Sequence, residues 1–122
     1  MNNIKFNYLY RDGSNYTSWA EVVFGNPDDL SLEHIEKLLQ NSFEQDGLFI
    51  ASQIKIPEVF LYANGAITEF DHCYHKFDSV EYVNEIPTDT RTIKIFLDQV
   101  EIEAKIGWQA FDPISRHVSH NS

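Results

Sequence analysis

The chain has 122 residues, 43% hydrophobic and 14% aromatic, which supplies too much apolar surface for a disordered protein and is short enough to argue for one domain. A chain of this length buries roughly two thirds of the surface its unfolded form exposes, a core that needs neither disulfides nor a structural metal. Nineteen Asp and Glu stand against nine Lys and Arg, a formal charge of −10. That field repels phosphate backbones and anionic lipid, which argues against direct nucleic-acid and membrane-surface binding and leaves cationic partners.

The single cysteine, Cys73, excludes an intramolecular disulfide framework. The opening Met1-Asn2-Asn3-Ile4-Lys5-Phe6 lacks the basic region and apolar stretch of a signal peptide, and no run is long enough to cross a bilayer, so a cytoplasmic protein is expected.

Along the chain, Ile4, Phe6, Tyr8 and Tyr10 alternate with Lys5 and Asn7, the period of a strand with one buried face. Arg11-Asp12-Gly13-Ser14-Asn15 is turn chemistry, and residues 16–24 resume a strand rich in aromatic and β-branched residues, which together predict an antiparallel hairpin. Gly25-Asn26-Pro27-Asp28-Asp29 breaks that strand. Ser31 then stands as an N-cap, Leu30 and Ile35 are spaced as a hydrophobic staple, and Leu32, Ile35, Leu38, Leu39 and Phe43 form one stripe of a first helix. Glu33 and Lys37 are set to pair four residues apart on its wet side.

Leu48, Ile50, Ser52, Ile54 and Ile56 alternate again and predict a third strand that stops at Pro57. Asn64-Gly65 between residues 58–62 and 66–70 predicts a tight hairpin, because Asn-Gly supplies the positive φ values of a type I′ turn. A longer strand is expected within 73–83. Ile93, Phe96, Leu97, Val100 and Ala104 fit a helix face, whereas Val100, Ile102, Ala104 and Ile106 fit a strand. The helix is preferred for residues 91–106, with Thr88 or Thr90 as cap, Glu101 and Lys105 as an i,i+4 pair, and Gly107-Trp108 as its stop. The expected fold is α+β, a mainly antiparallel sheet with two helices packed on one face, forming a single domain over 1–113 with a flexible polar tail at 114–122.

No glycine-rich phosphate loop occurs. The densest cluster of reactive side chains is Asp71-His72-Cys73-Tyr74-His75. In an extended segment Asp71, Cys73 and His75 share one face, ligand types that suit zinc, yet neighbours two apart on a strand stand about 7 Å from each other. The same distance argues against a Cys–His nucleophile pair. Half-buried strand histidines beside a small buried Cys are the plainer reading.

Glu69, Asp71, Asp78, Glu81, Glu85 and Asp89, opposed only by Lys76, form an acid-rich stretch. Carboxylates beside exposed tyrosines hold guanidinium groups by charge-assisted hydrogen bonds and ring stacking. The expected function is therefore a small acidic, non-enzymatic protein-binding module, an inhibitor, immunity or accessory protein for a larger and more basic partner. Its expected contact set is Asp71, Tyr74, Asp78, Glu81, Tyr82 and Glu85. The rival is a small metal-binding protein or metal-dependent hydrolase using zinc on His72, Cys73 and His75.

Overall fold

A computed structural model describes residues 2–61, 67 and 71–114. The elements run β1 (Asn3–Arg11), β2 (Thr17–Phe24), α1 (Leu32–Ser42), β3 (Leu48–Phe49), β4 (His75–Val83) and α2 (Ile93–Ile106). The four strands form one antiparallel sheet in the order β2-β1-β4-β3. The expected α+β fold with an antiparallel sheet is found.

The alternation of β1 sends Ile4, Phe6 and Tyr8 to one face, where they are fully buried with Val22 and Phe24 of β2. Ile35 and Leu39 of α1 and Ile93, Phe96, Leu97 and Val100 of α2 join the same core, so both helices lie on that face. The Phe6 ring is its centre, with centroids of Phe96 and Phe77 at 5.3 Å and Phe49 at 6.0 Å. Replacing such a ring with Ala costs about 3–5 kcal/mol. Among the described residues the other face of the sheet carries no helix.

One residue adjusts the register. Asn7 lies opposite Ser79, but Tyr8 lies opposite Phe77, so Asp78 is an extra residue in β4. Strict alternation would turn Asp78 into the core and Phe77 to solvent; the bulge reverses both, leaving Asp78 exposed and stacking Phe77 on Phe6.

Ser31 caps α1 as expected, its Oγ accepting the His34 amide at 3.2 Å. The cap of α2 is Thr92, whose Oγ1 accepts the Ile95 amide at 3.3 Å, and not Thr88 or Thr90. Thr88 Oγ1 is taken by the Val23 amide at 2.9 Å, because residues 88–93 run along β2 before the helix begins. Among the described residues the i,i+4 ion pair is Lys94–Asp98 at 3.3 Å, in place of Glu33–Lys37 and Glu101–Lys105. Trp108 does not simply fold onto α2; its Nε1 donates to the Ser42 carbonyl at 3.0 Å and so ties the end of α2 to the end of α1.

The strand expected over 48–56 is only Leu48–Phe49. Ala51–Ile54 is a 3-10 turn closed by Lys55 at φ 56°, where the Ile56 amide reaches back to the Ala51 carbonyl. Phe49, Ile50, Ala51, Ile54 and Ile56 are all buried while Ser52 and Lys55 are exposed, so the apolar residues here mark the inner side of a turn and not one face of a strand. The hairpin expected over 58–70 lies largely outside the described residues, and Glu58–Phe60 is not strand. The tail expected at 114–122 lies, except for Ile114, outside them too. No helix of the described residues is long and apolar enough to cross a membrane.

Candidate functional site: the acid-bearing open face of the sheet

Pairing in register puts Lys5, Asn7, Leu9 and Arg11 of β1 on the helix-free face, beside Thr17, Trp19, Glu21 and Val23 of β2 and Ser79 and Glu81 of β4. At one end of this face Lys5 Nζ stands 2.6 Å from Glu85 Oε2 and 3.4 Å from Glu21 Oε2. The Glu85 hydrogen bond is the main reason its ammonium is held above the usual lysine range. Asn7 Nδ2 donates to Glu81 Oε2 at 3.0 Å and to Ser79 Oγ at 3.3 Å. Ser79 Oγ in turn donates to Asp78 at 2.9 Å. Glu21 and Glu85 thus share one ammonium and keep about half of their side-chain surface in water, while Glu81 and Asp78 are held beside them through Asn7 and Ser79.

Three members of the expected contact set, Asp78, Glu81 and Glu85, meet here. The other three do not. Tyr82 lies opposite Ile4 on the helix side, where its hydroxyl accepts the Leu32 amide at 3.3 Å and donates to the Leu30 carbonyl at 3.4 Å. Asp71 accepts the Tyr10 hydroxyl at 2.7 Å. Tyr74 sits by Glu44 near β3, the opposite edge of the sheet from Glu21; burial first and Glu44 second raise its hydroxyl above the ordinary tyrosine range. Alternation splits consecutive acids and aromatics between two faces, so the stretch from 71 to 89 is not one surface. Asp89 is also withdrawn, locked to Arg91 at 2.7 Å. Glu69 lies outside the described residues.

Glu21, Lys5 and Trp19 were not expected in the site. Their signal was the strand alternation itself, since all three occupy out-facing positions of the predicted hairpin, but nothing in the sequence told which part of β4 would lie beside them.

The Asp71–His75 segment is tied into the fold by hydrogen bonds. Residues 71–74 are not strand, so they do not project alternately. His72 Nδ1 accepts the Tyr74 amide at 3.1 Å, which places the proton on Nε2, and Nε2 donates to the Arg11 carbonyl at 2.6 Å. His75 is fully buried, its Nε2 accepting the Val59 amide at 3.0 Å, and Phe60 meets its ring at 4.6 Å. The Tyr10 hydroxyl links the segment to β1 by accepting the His72 amide at 3.1 Å. Both nitrogens of His72 and one of His75 are thus committed to backbone. Among the described residues no group of three or more His, Cys, Asp or Glu is placed to hold a metal ion.

Two further concavities lie among the described residues. A groove between the helices is lined by His34, Lys37, Leu38 and Glu101, and a second hollow at the acid end of the open face is lined by Glu21, Pro57, Glu85 and Ile86. Comparison of the chain with protein-family models, with curated proteins and with solved structures finds no match.

Proposed function

We propose that the protein is a small, acidic, non-enzymatic binding module that grips a larger and more basic protein, as an inhibitor, immunity or accessory protein does. The observation that supports it is the grouping of Glu21 and Glu85 on Lys5, with Glu81 and Asp78 beside them on Asn7 and Ser79, on a sheet face that no helix of the described residues covers. Exposed Trp19 and Ile86 lie alongside, apolar anchors of the kind that interface hot spots use. Steering by such a surface needs clustered charge more than fine geometry, whereas acid–base catalysis needs two carboxylates in contrasting environments.

The test replaces Asp78, Glu81 and Glu85 with lysine. A partner captured from cells by the wild type is purified and its association measured against salt. The triple variant should associate at least about tenfold more slowly with a flatter salt dependence, while its melting temperature stays close to wild type because exposed ion pairs are worth about 0–1 kcal/mol each. Equal association by the two proteins removes the acid face from the reading.

A further inference from the structure

β2 is an edge strand, and the described residues cover only the Val23 half of its edge. The Val23 amide donates to Thr88 Oγ1 at 2.9 Å, and the Val23 carbonyl accepts the amides of Thr88 and Asp89 at 2.9 and 3.2 Å. The Val23 backbone therefore points away from β1. Because outward and inward backbone groups alternate along an antiparallel strand, the amides and carbonyls of Thr17, Trp19 and Glu21 point the same way. Among the described residues nothing pairs with them. This half carries no lysine, proline or bulge, the devices that blunt an exposed edge. It carries instead Trp19, 61% exposed.

The charges on either side of Trp19 are opposite. Toward Val23 stand Glu21 and, behind it, Glu81 and Glu85. Toward the hairpin turn stands Arg11, opposite Thr17, whose Nε donates to Thr17 Oγ1 at 3.3 Å and so leans the guanidinium over β2 toward the free edge. Among the described residues Arg11 has no carboxylate within ion-pair distance.

From these observations we infer that the open half of the β2 edge pairs antiparallel with the same edge of a second copy of this chain, joining two four-stranded sheets into one. The register follows from where each edge is already occupied. Thr88 and Asp89 stop pairing beyond Glu21, and the hairpin turn stops it before Thr17, so the symmetric arrangement that uses every free group sets Trp19 against Trp19 and Thr17 against Glu21. Directly opposed hydrogen-bonded residues lie about 5.5 Å apart, close enough for the two indoles to cover each other on the open face. Glu21 of each copy then lies beside Thr17 of the other, and Arg11 of that copy reaches over Thr17 to meet it. Such an isologous contact repeats the ion pair twice about the two-fold axis. Each copy carries −10, but at about 0.15 M salt that repulsion is screened beyond ~8 Å, whereas the contacting charges are not. The pairing does not rest on the partner proposed above, although it engages Trp19 and Glu21 of the same face and so leaves Ile86, Asp78, Glu81 and Glu85 for that partner.

Sedimentation equilibrium of the full chain at about 0.15 M salt, over a concentration series, tests this. The wild type should form a dimer, and Arg11→Glu, Glu21→Arg and Trp19→Ser should each weaken it about tenfold or more. The double variant Arg11→Glu/Glu21→Arg should recover association, since it restores opposite charges across the axis. Within one chain Glu21 lies opposite Asn7, four positions along the sheet from Arg11 and so about 14 Å away at ~3.4 Å per residue, and recovery cannot come from inside one copy. Thermal melts check that each variant folds; should Glu21→Arg lose its cooperative melt, Arg11→Glu and Trp19→Ser decide alone, since neither touches an ion pair. A wild type that stays monomeric throughout, a dimer that survives both of those changes, or a folded double variant no tighter than its parents would each overturn the assignment.

Discussion

Arg91 and Asp89, two residues apart just ahead of α2, form a forked pair in which Nη2 reaches Oδ2 at 2.7 Å and Nε reaches Oδ1 at 3.0 Å. The same guanidinium donates to the carbonyls of Ile54 and Lys55 at 2.8 and 3.0 Å and lies 5.2 Å from the Phe96 ring centre. One side chain thus fastens the 3-10 turn Ala51–Ile54 to the start of α2 and satisfies carbonyl groups the turn leaves unpaired.

Arg91→Ala should therefore lower unfolding free energy by about 2 kcal/mol, since several charge-assisted bonds are lost at a mostly buried position. Arg91→Lys should recover less than half of that, because an ammonium cannot span the carboxylate and two carbonyls in one plane. Urea denaturation of the three proteins decides it. Equal stability of the Lys variant and wild type would show that only charge matters here.

The pair also predicts an acid response. Hydrogen bonding from Arg91 holds the Asp89 carboxyl below its ordinary value. A lowered folded pKa gives stability that is present above the unfolded value of about 3.9 and lost as pH falls through the folded one. The gap in melting temperature between wild type and Arg91→Ala should accordingly be constant near neutrality and narrow below about pH 4. A gap unchanged down to about pH 2 contradicts the coupling.

Tyr8 predicts the alkaline side. It is fully buried, donates to the Pro57 carbonyl at 2.7 Å, and burial pushes its hydroxyl far above the usual tyrosine range. A folded pKa above the unfolded one, about 10, means stability is whole below that pH and falls as pH rises past it. Tyr8→Phe should cost about 1 kcal/mol at neutral pH through the lost hydrogen bond. It should also flatten the loss of melting temperature above about pH 10. An identical alkaline slope in the two proteins would assign that loss to other groups.

The helix caps offer a further check. Ser31→Ala and Thr92→Ala should each destabilise by about 1 kcal/mol, whereas Thr90→Ala should change little, since Thr92 and not Thr90 bonds the first turn of α2. Thermal or urea melts of the three variants are sufficient. A Thr90 effect as large as that of Thr92 would move the start of the helix.

The sequence by itself determined β1, β2, α1 and α2, because each writes its burial in a period of its own. Ile4, Phe6 and Tyr8 alternate, Ile35 and Leu39 repeat as a helix does, and Ser31 and Gly107 mark the ends of helices with local hydrogen bonds that need no distant partner. Tertiary structure decided the rest. Ala51, Ile54 and Ile56 pack against α2 and the sheet, so the alternation read there was not that of a strand face, and a 3-10 turn held by Arg91 replaced the expected strand. The position of Thr92 as cap followed from Thr88 being drawn to Val23, a contact 65 residues away in the chain. For the candidate site, Asp78, Glu81 and Glu85 were legible as acids but not as neighbours of Glu21 and Lys5. Strand pairing brought them together, the bulge at Asp78 turned it outward, and the two-residue alternation sent Tyr82 to the opposite face; charge and ring chemistry are local properties, and which face they share is a property of register.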